Sequence, residues 1–159
     1  MTPGVLYLLG APLQLSERFR TKHYTLHRRL GRVLVTAAMI SVILAIVFGL
    51  RFAWGGTPEA MATAVFGSWF LACLLLAVRA IRRDDMINHR RWMIRSFSLI
   101  MAGVMLRVWV PIYDVLAAAG ILDFSFETAY AGIAWLCWVP NLLLAIWFTR
   151  HRIEVAAAA

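Results

Sequence analysis

Four apolar stretches, each close to the twenty or so residues a helix needs to cross a bilayer, constrain this chain more than any other feature. They read VLVTAAMISVILAIVFGL at Val33–Leu50, MATAVFGSWFLACLLLAV at Met61–Val78, FSLIMAGVMLRVWVPIYDVLAAA at Phe97–Ala119 and YAGIAWLCWVPNLLLAIWFT at Tyr130–Thr149. The first two and the fourth carry no charge, and the third carries Arg107 and Asp114. None shows the polar face that a helix in water needs. In lipid a backbone must satisfy its own hydrogen bonds, so each stretch is expected to be a helix.

Composition supports that reading. The chain has 159 residues, is 62% hydrophobic and only 15% charged, with a mean hydropathy of +0.76. A soluble domain of this size leaves too much surface in water to hide so much apolar side chain. The expected fold is an all-α integral membrane protein, a four-helix transmembrane bundle forming a single domain over 1–159. The spans are placed at about 33–53, 61–81, 96–119 and 129–149, with basic segments at 16–32, 79–95 and 150–159. A further apolar piece, Val5–Leu15, contains Gly10, Pro12 and Gln14. It is too short to span, and reads as a re-entrant or interfacial segment or as the remnant of a fifth helix. Cys73 and Cys137 lie inside apolar runs and read as small buried hydrophobes rather than a disulfide.

The net charge of +8 is distributed unevenly. If the four spans alternate in direction, fourteen of the sixteen Lys and Arg residues fall on one side, in the three basic segments. Only Arg51 and Arg107 fall in the other half, whose loops carry Glu59, Asp123 and Glu127. By the positive-inside rule both ends of the four-span core face the cytoplasm, with acidic lipid as the expected first partner. Nucleic acid is not an expected partner; a homo-oligomer or a membrane complex is. Trp54, Trp92, Trp147, Tyr24 and Tyr130 fall near the span ends, as interfacial aromatics do. Ala131, Gly132 and Ala134, with Ala102 and Gly103, offer small faces for close helix approach.

His-Arg-Arg occurs twice, in LHRRLGRVL at 26–34 and NHRRWMIRS at 88–96, each leading into an outward-going span. The chain therefore reads as two helical hairpins in the same orientation, 26–81 and 88–150, although beyond His-Arg-Arg the repeat is thin. LHRRLGRV, NHRRWMIRSF, MLRVW and AWLCWVPNLLLA together resemble a bacterial family of predicted membrane proteins grouped as "domain of unknown function 2306". The resemblance covers roughly residues 8–150, and HRRWMIRS and WLCWVPN are its specific parts. It implies the fold and the membrane but no activity. The family is similar in having a full helix before LLGAPLQLSERFR, so the resemblance implies a start near that helix's end.

Three groups of residues are candidates for function. Arg28 and Arg32 share a helix face, as do Arg91 and Arg95, and together they make an expected anion or lipid-headgroup site. His27 and His89 stand at equivalent ends of the first and third spans and are candidate haem or ligand residues; haem b is the cofactor weighed. Against it, Arg32 and Arg95 lie deeper than the histidines, whereas propionates directed to water want arginines outside them. Arg107, Asp114, Asn141 and Tyr113 are read as a polar cluster inside the outer half of the bundle, with Pro111 bending the third helix between Arg107 and Asp114. If Arg107 is a buried staple, its replacement by Leu lowers folded yield. No catalytic constellation and no metal site is expected. His23 and His27 share a face, but the cations around them repel a metal.

Three functional classes remain open. The favoured one is a non-enzymatic helical subunit, scaffold or accessory factor with a basic anion- or lipid-binding face. The alternatives are a haem- or quinone-linked electron-transfer protein, and a small-solute or proton transporter using the Arg107, Asp114 and Asn141 group.

Overall fold

In the computed structural model the described residues are 2–53 and 55–157, with side chains described from 4 to 53 and from 55 to 151. Trp54 and the side chain of Arg152 lie outside them. The described residues form eight helices and no strands. These are α1 (Thr2–Leu15), α2 (Glu17–Lys22), α3 (Tyr24–Arg51), α4 (Gly56–Arg82), α5 (Met86–Ile100), α6 (Ala102–Ala118), α7 (Phe126–Leu136) and α8 (Val139–Ala157). Four helical stretches are long and apolar enough to cross a membrane: α3, α4, α5 with α6, and α7 with α8. The all-α membrane fold read from the sequence is what the chain adopts.

The helices run further than the apolar patterning indicates. The His-Arg-Arg segments, expected to precede the spans, are themselves helical, as the first turns of α3 and of α5. Charge does not stop a helix; backbone geometry does. α4 ends where Asp84 takes φ 57°. There the Asp85 N–H donates to Ala80 O (3.0 Å) and the Asp84 N–H to Ile81 O (3.3 Å). α6 ends the same way around Gly120 at φ 71°, with Ile121 N–H to Leu116 O and Gly120 N–H to Ala117 O, each 3.0 Å. Both are Schellman caps, which satisfy the last carbonyls and turn the chain back on itself.

The two hairpins differ in how they are built. In α3 and α4 the helices are unbroken. The second hairpin is interrupted twice, at Met101 and at Cys137–Trp138. The second break has a plain cause, because Pro140 has no N–H for the Leu136 carbonyl one turn back. Asn141 Nδ2 donates to Cys137 O (2.9 Å) and supplies a donor at that break. The first break does not fall at Pro111, where a bend was expected; α6 continues through that proline. It follows two serines whose hydroxyls bond back to the helix, Ser96 to Met93 O (2.8 Å) and Ser98 to Arg95 O (2.7 Å). Such back-bonding loosens and bends helices.

α4 packs against α3, α5 and α7, and α1 lies over α3 and α5. The core between them holds Tyr7, Ala11, Leu34, Ala38, Val42, Phe70, Cys73, Leu74 and Leu99, all buried. The short first helix thus lends one face, Tyr7 and Ala11, to the core, while Leu6, Leu9 and Leu13 stay exposed. Its Tyr7 hydroxyl donates to Ser96 Oγ (2.6 Å), since that serine already donates to Met93 O. α3 and α4 approach through glycine. A Cβ on Gly67 would run into Ile46, and one on Gly49 into Thr63. The glycines of the second hairpin behave differently. Gly132 has open space where a side chain would start, and Gly103 meets only the end of Arg107, 3.7 Å away.

Candidate functional site

The basic residues gather at the end of the bundle formed by α2, the starts of α3 and α5, and the ends of α4 and α8. Rotation of each helix decides which of them turn inward. On α3 the buried positions are Leu34, Ala38 and Val42, spaced three or four apart. His27 continues that row toward the basic end and is half-buried, whereas Arg28 and Arg32 are exposed. Arg28 lies over the Tyr24 ring of its own helix, 5.7 Å from the centroid. On α5, Arg91 and Arg95 are both half-buried. The expected four-arginine site is therefore not brought together; only the α5 pair turns into the bundle.

Arg95 is the better held of the two. Its guanidinium lies 4.7 Å from the centroid of Trp92. Its Nη2 donates to Thr149 Oγ1 on α8 at 3.4 Å, and the Thr149 hydroxyl donates in turn to Ile146 O at 3.1 Å. Arg91 is placed through a short relay. Asp85 caps α5 by accepting from the Asn88 N–H (3.0 Å) and from Asn88 Nδ2 (2.7 Å), and Arg91 Nη1 donates to Asn88 Oδ1 (3.2 Å). These bonds from Asn88, with Arg91 adding, hold the Asp85 carboxyl below the usual carboxylate range.

Several donors at this end remain unmet. The Nε atoms of Arg91 and Arg95 are buried without a hydrogen-bond partner. Arg95 also lies in the electrostatic range of Arg91 and Arg150. Among the described residues the only ion pair is Arg20 with Glu17 (3.1 Å), on exposed α2. Arg91 and Arg150 thus both press on Arg95, and although Asp85 lies within electrostatic range of Arg91, no carboxylate is bonded to Arg95, an arrangement that calls for an anion.

His27 and His89 lie on a second side of this end. His27 is within electrostatic range of His89 and of Arg20, and its Nδ1 is buried and unpartnered. His89 Nδ1 sits 2.9 Å from Ala77 O on α4. A carbonyl only accepts, so that nitrogen is the donor in this contact, which leaves Nε2 outside it. Gln14 of α1 is close by: its Oε1 lies 3.5 Å from where a side chain on Gly31 would begin, one turn along α3 from His27. Its Nε2 is also buried and unpartnered. Among the described residues no group of three or more His, Cys, Asp or Glu is arranged to hold a metal.

Arg107, Asp114, Asn141 and Tyr113 do not form the expected internal cluster. Arg107 and Asp114 are exposed on α6. Arg107 Nη1 donates to Gly103 O of its own helix. The Tyr113 hydroxyl donates to Phe124 O (2.7 Å) in the following turn, and Asn141 serves the break before α8. Arg107 and Asn141 find their acceptors four residues back because helix side chains lean toward the preceding turn, where a carbonyl is within reach. Sequence reasoning missed Thr149, Trp92, Gln14 and Arg150 as participants. The signal for Thr149 was present in WFTRHR, a hydroxyl just inside a basic helix end.

No curated protein and no solved structure matches this chain. A family model described as "Predicted membrane protein (DUF2306)" matches residues 1–149. That match takes in α1 through most of α8, both His-Arg-Arg segments and the broken second hairpin, so the chain belongs to the DUF2306 family of predicted membrane proteins.

Proposed function

We propose that this protein is a non-enzymatic helical subunit or accessory factor of a bacterial inner membrane. Its basic end faces the cytoplasm and holds the phosphate of an acidic lipid between α5 and α8. One observation carries the reading: Arg91 and Arg95 are half-buried, electrostatically crowded and left with unmet Nε donors. A phosphate offers several acceptor oxygens and pairs with guanidinium bidentately. The exposed arginines on α2 and α3 add attraction to an anionic leaflet without defining a site.

Native mass spectrometry of the detergent-purified protein tests this against added phosphatidylglycerol and phosphatidylcholine. The wild type should retain phosphatidylglycerol preferentially. Arg95→Gln and Arg91→Gln should lose most of that preference, while Arg28→Gln and Arg32→Gln keep it. Equal loss in all four variants would mean diffuse attraction and no site.

A second reading, electron transfer through haem, draws support from the orientation of His89 and its proximity to His27. A carbonyl-bonded Nδ1 leaves Nε2 as the nitrogen that would hold the iron, and Arg20, within electrostatic range of His27, would be available to pair with a propionate. Absence of a Soret band after haem-replete expression ends that reading. The transport reading has less support, since Arg107, Asp114 and Asn141 bond to separate partners rather than lining one path.

A further inference from the structure

The outward face of α6 presents charge at a depth where lipid cannot answer it. The apolar part of the third span runs from Phe97 to the end of α6 at Ala118. Arg107 sits at its middle, about 16 Å from Ala118 at 1.5 Å per residue. It is exposed, and its one hydrogen bond, to Gly103 O, engages a single donor of the five on a guanidinium. An arginine cannot shed its proton to escape the cost. Its side chain leans toward Gly103, back along the span that α6 forms with α5 and away from the end of α6 at Ala118, so it does not reach that interface by extending along the helix. Charged residues at this depth face a bundle interior, a water-filled cavity or a partner. Among the described residues none covers it: α6 packs against α5 and α7, and Arg107 stays exposed. Only 11% of the most apolar window of the α5–α6 span is buried, against 33% for α4.

We propose that this face docks a transmembrane helix of another protein, one that presents a carboxylate at the level of Arg107. A second copy of this chain fits less well. A two-fold axis along the membrane normal places equal depths together, so Arg107 would meet Arg107 of the other copy. The only carboxylate on the face, Asp114, stands two turns away, about 10 Å along the axis, and on the side opposite to the lean of the arginine. Asp114 lies one turn from the end of α6, where water and headgroups can reach it, so Arg107 alone sets the chemistry of the partner. The proposal is independent of the headgroup site at the basic end.

The test uses the full chain, donor-labelled and reconstituted in phosphatidylcholine vesicles, titrated with acceptor-labelled synthetic Leu/Ala transmembrane peptides. One peptide carries a single central Glu and its twin is wholly apolar. Energy transfer should show the Glu peptide associating about tenfold more tightly than its twin, the scale of an interhelical polar contact in lipid. The preference should vanish in Arg107→Leu and survive in Arg107→Lys. Arg107→Leu should fold normally, since Arg107 bonds to nothing beyond its own helix, and an unchanged circular-dichroism melting curve checks this. If the two peptides associate equally with the wild type, or the preference survives in Arg107→Leu, the proposal fails. Energy transfer between two labelled copies that depends on Arg107 would identify a second copy as the occupant and overturn the proposal in favour of a homo-oligomer.

Discussion

The two hairpins share an opening motif, yet they use their small and polar residues in opposite ways. In the first, α3 and α4 are unbroken and uncharged through their middles, and each sets a glycine against a side chain of the other. Gly49 and Gly67 leave no room for a side chain against Thr63 and Ile46. In the second, both spans are broken, charge and prolines lie inside them, and Gly103 and Gly132 face outward. One hairpin spends its special residues on packing within the chain, while the other carries them on breaks and on outer faces. In lipid there is no hydrophobic drive between helices, so close backbone approach is the main source of cohesion. The first hairpin with α1 is therefore the expected stable core, and the second is the side open to other molecules.

The same substitution made in each hairpin gives the largest expected contrast. Gly67→Leu forces a branched side chain into Ile46 and Val42, and overpacking of that kind costs about 3 kcal/mol. Gly132→Leu enters open space and should cost nothing, or gain slightly from better helix propensity. Melting temperature and folded yield in detergent check the pair. Similar losses in both would mean that the second hairpin packs as tightly as the first.

A smaller effect probes the breaks. Asn141→Leu removes the donor that serves Cys137 O beside the Pro140 break. Loss of one polar contact in a membrane bundle costs about 1 kcal/mol. The loss should appear as local opening, with faster hydrogen exchange of the amides of residues 137–142 and no change in α3 or α4. Exchange rising evenly over the whole bundle would mean that the break is not a separate unit of stability.

These contrasts also explain how far the sequence could be read. The spans were legible because lipid imposes an apolar requirement over a fixed length. The break at Cys137–Trp138 was legible from Pro140, while the one after Ser96 and Ser98 was not, because serine back-bonding depends on rotamers. The His-Arg-Arg segments lie within α3 and α5, because charge does not end a helix; the stops at Asp84 and Gly120 are backbone conformations. The site was half legible. Arg91 and Arg95 share an inward face, but the matching spacing of Arg28 and Arg32 pointed to a symmetry that the fold does not have. Helix rotation in water shows as an amphipathic stripe. A helix surrounded by lipid is apolar on every side, so the pattern says little about which arginine turns inward. The same blindness placed Arg107 inside the bundle.

The smallest effect tests the joint between the hairpins. Asp85 caps α5 and, through Asn88, orients Arg91. Its carboxyl is held below the usual range by hydrogen bonds that only the folded chain supplies. The ionised form is thus favoured on folding. Its contribution is complete above the unfolded carboxylate value, about 3.9, and is lost as pH falls through the lower folded value. Asp85→Asn keeps a good cap residue but cannot titrate. Wild type and variant should melt alike from pH 8 to pH 5 and diverge only below about pH 4, where the wild type declines and the variant does not. A variant that already loses stability at pH 7, with the second hairpin exchanging faster, would show that the charge of Asp85 on Arg91, rather than its cap geometry, holds the second hairpin to the first.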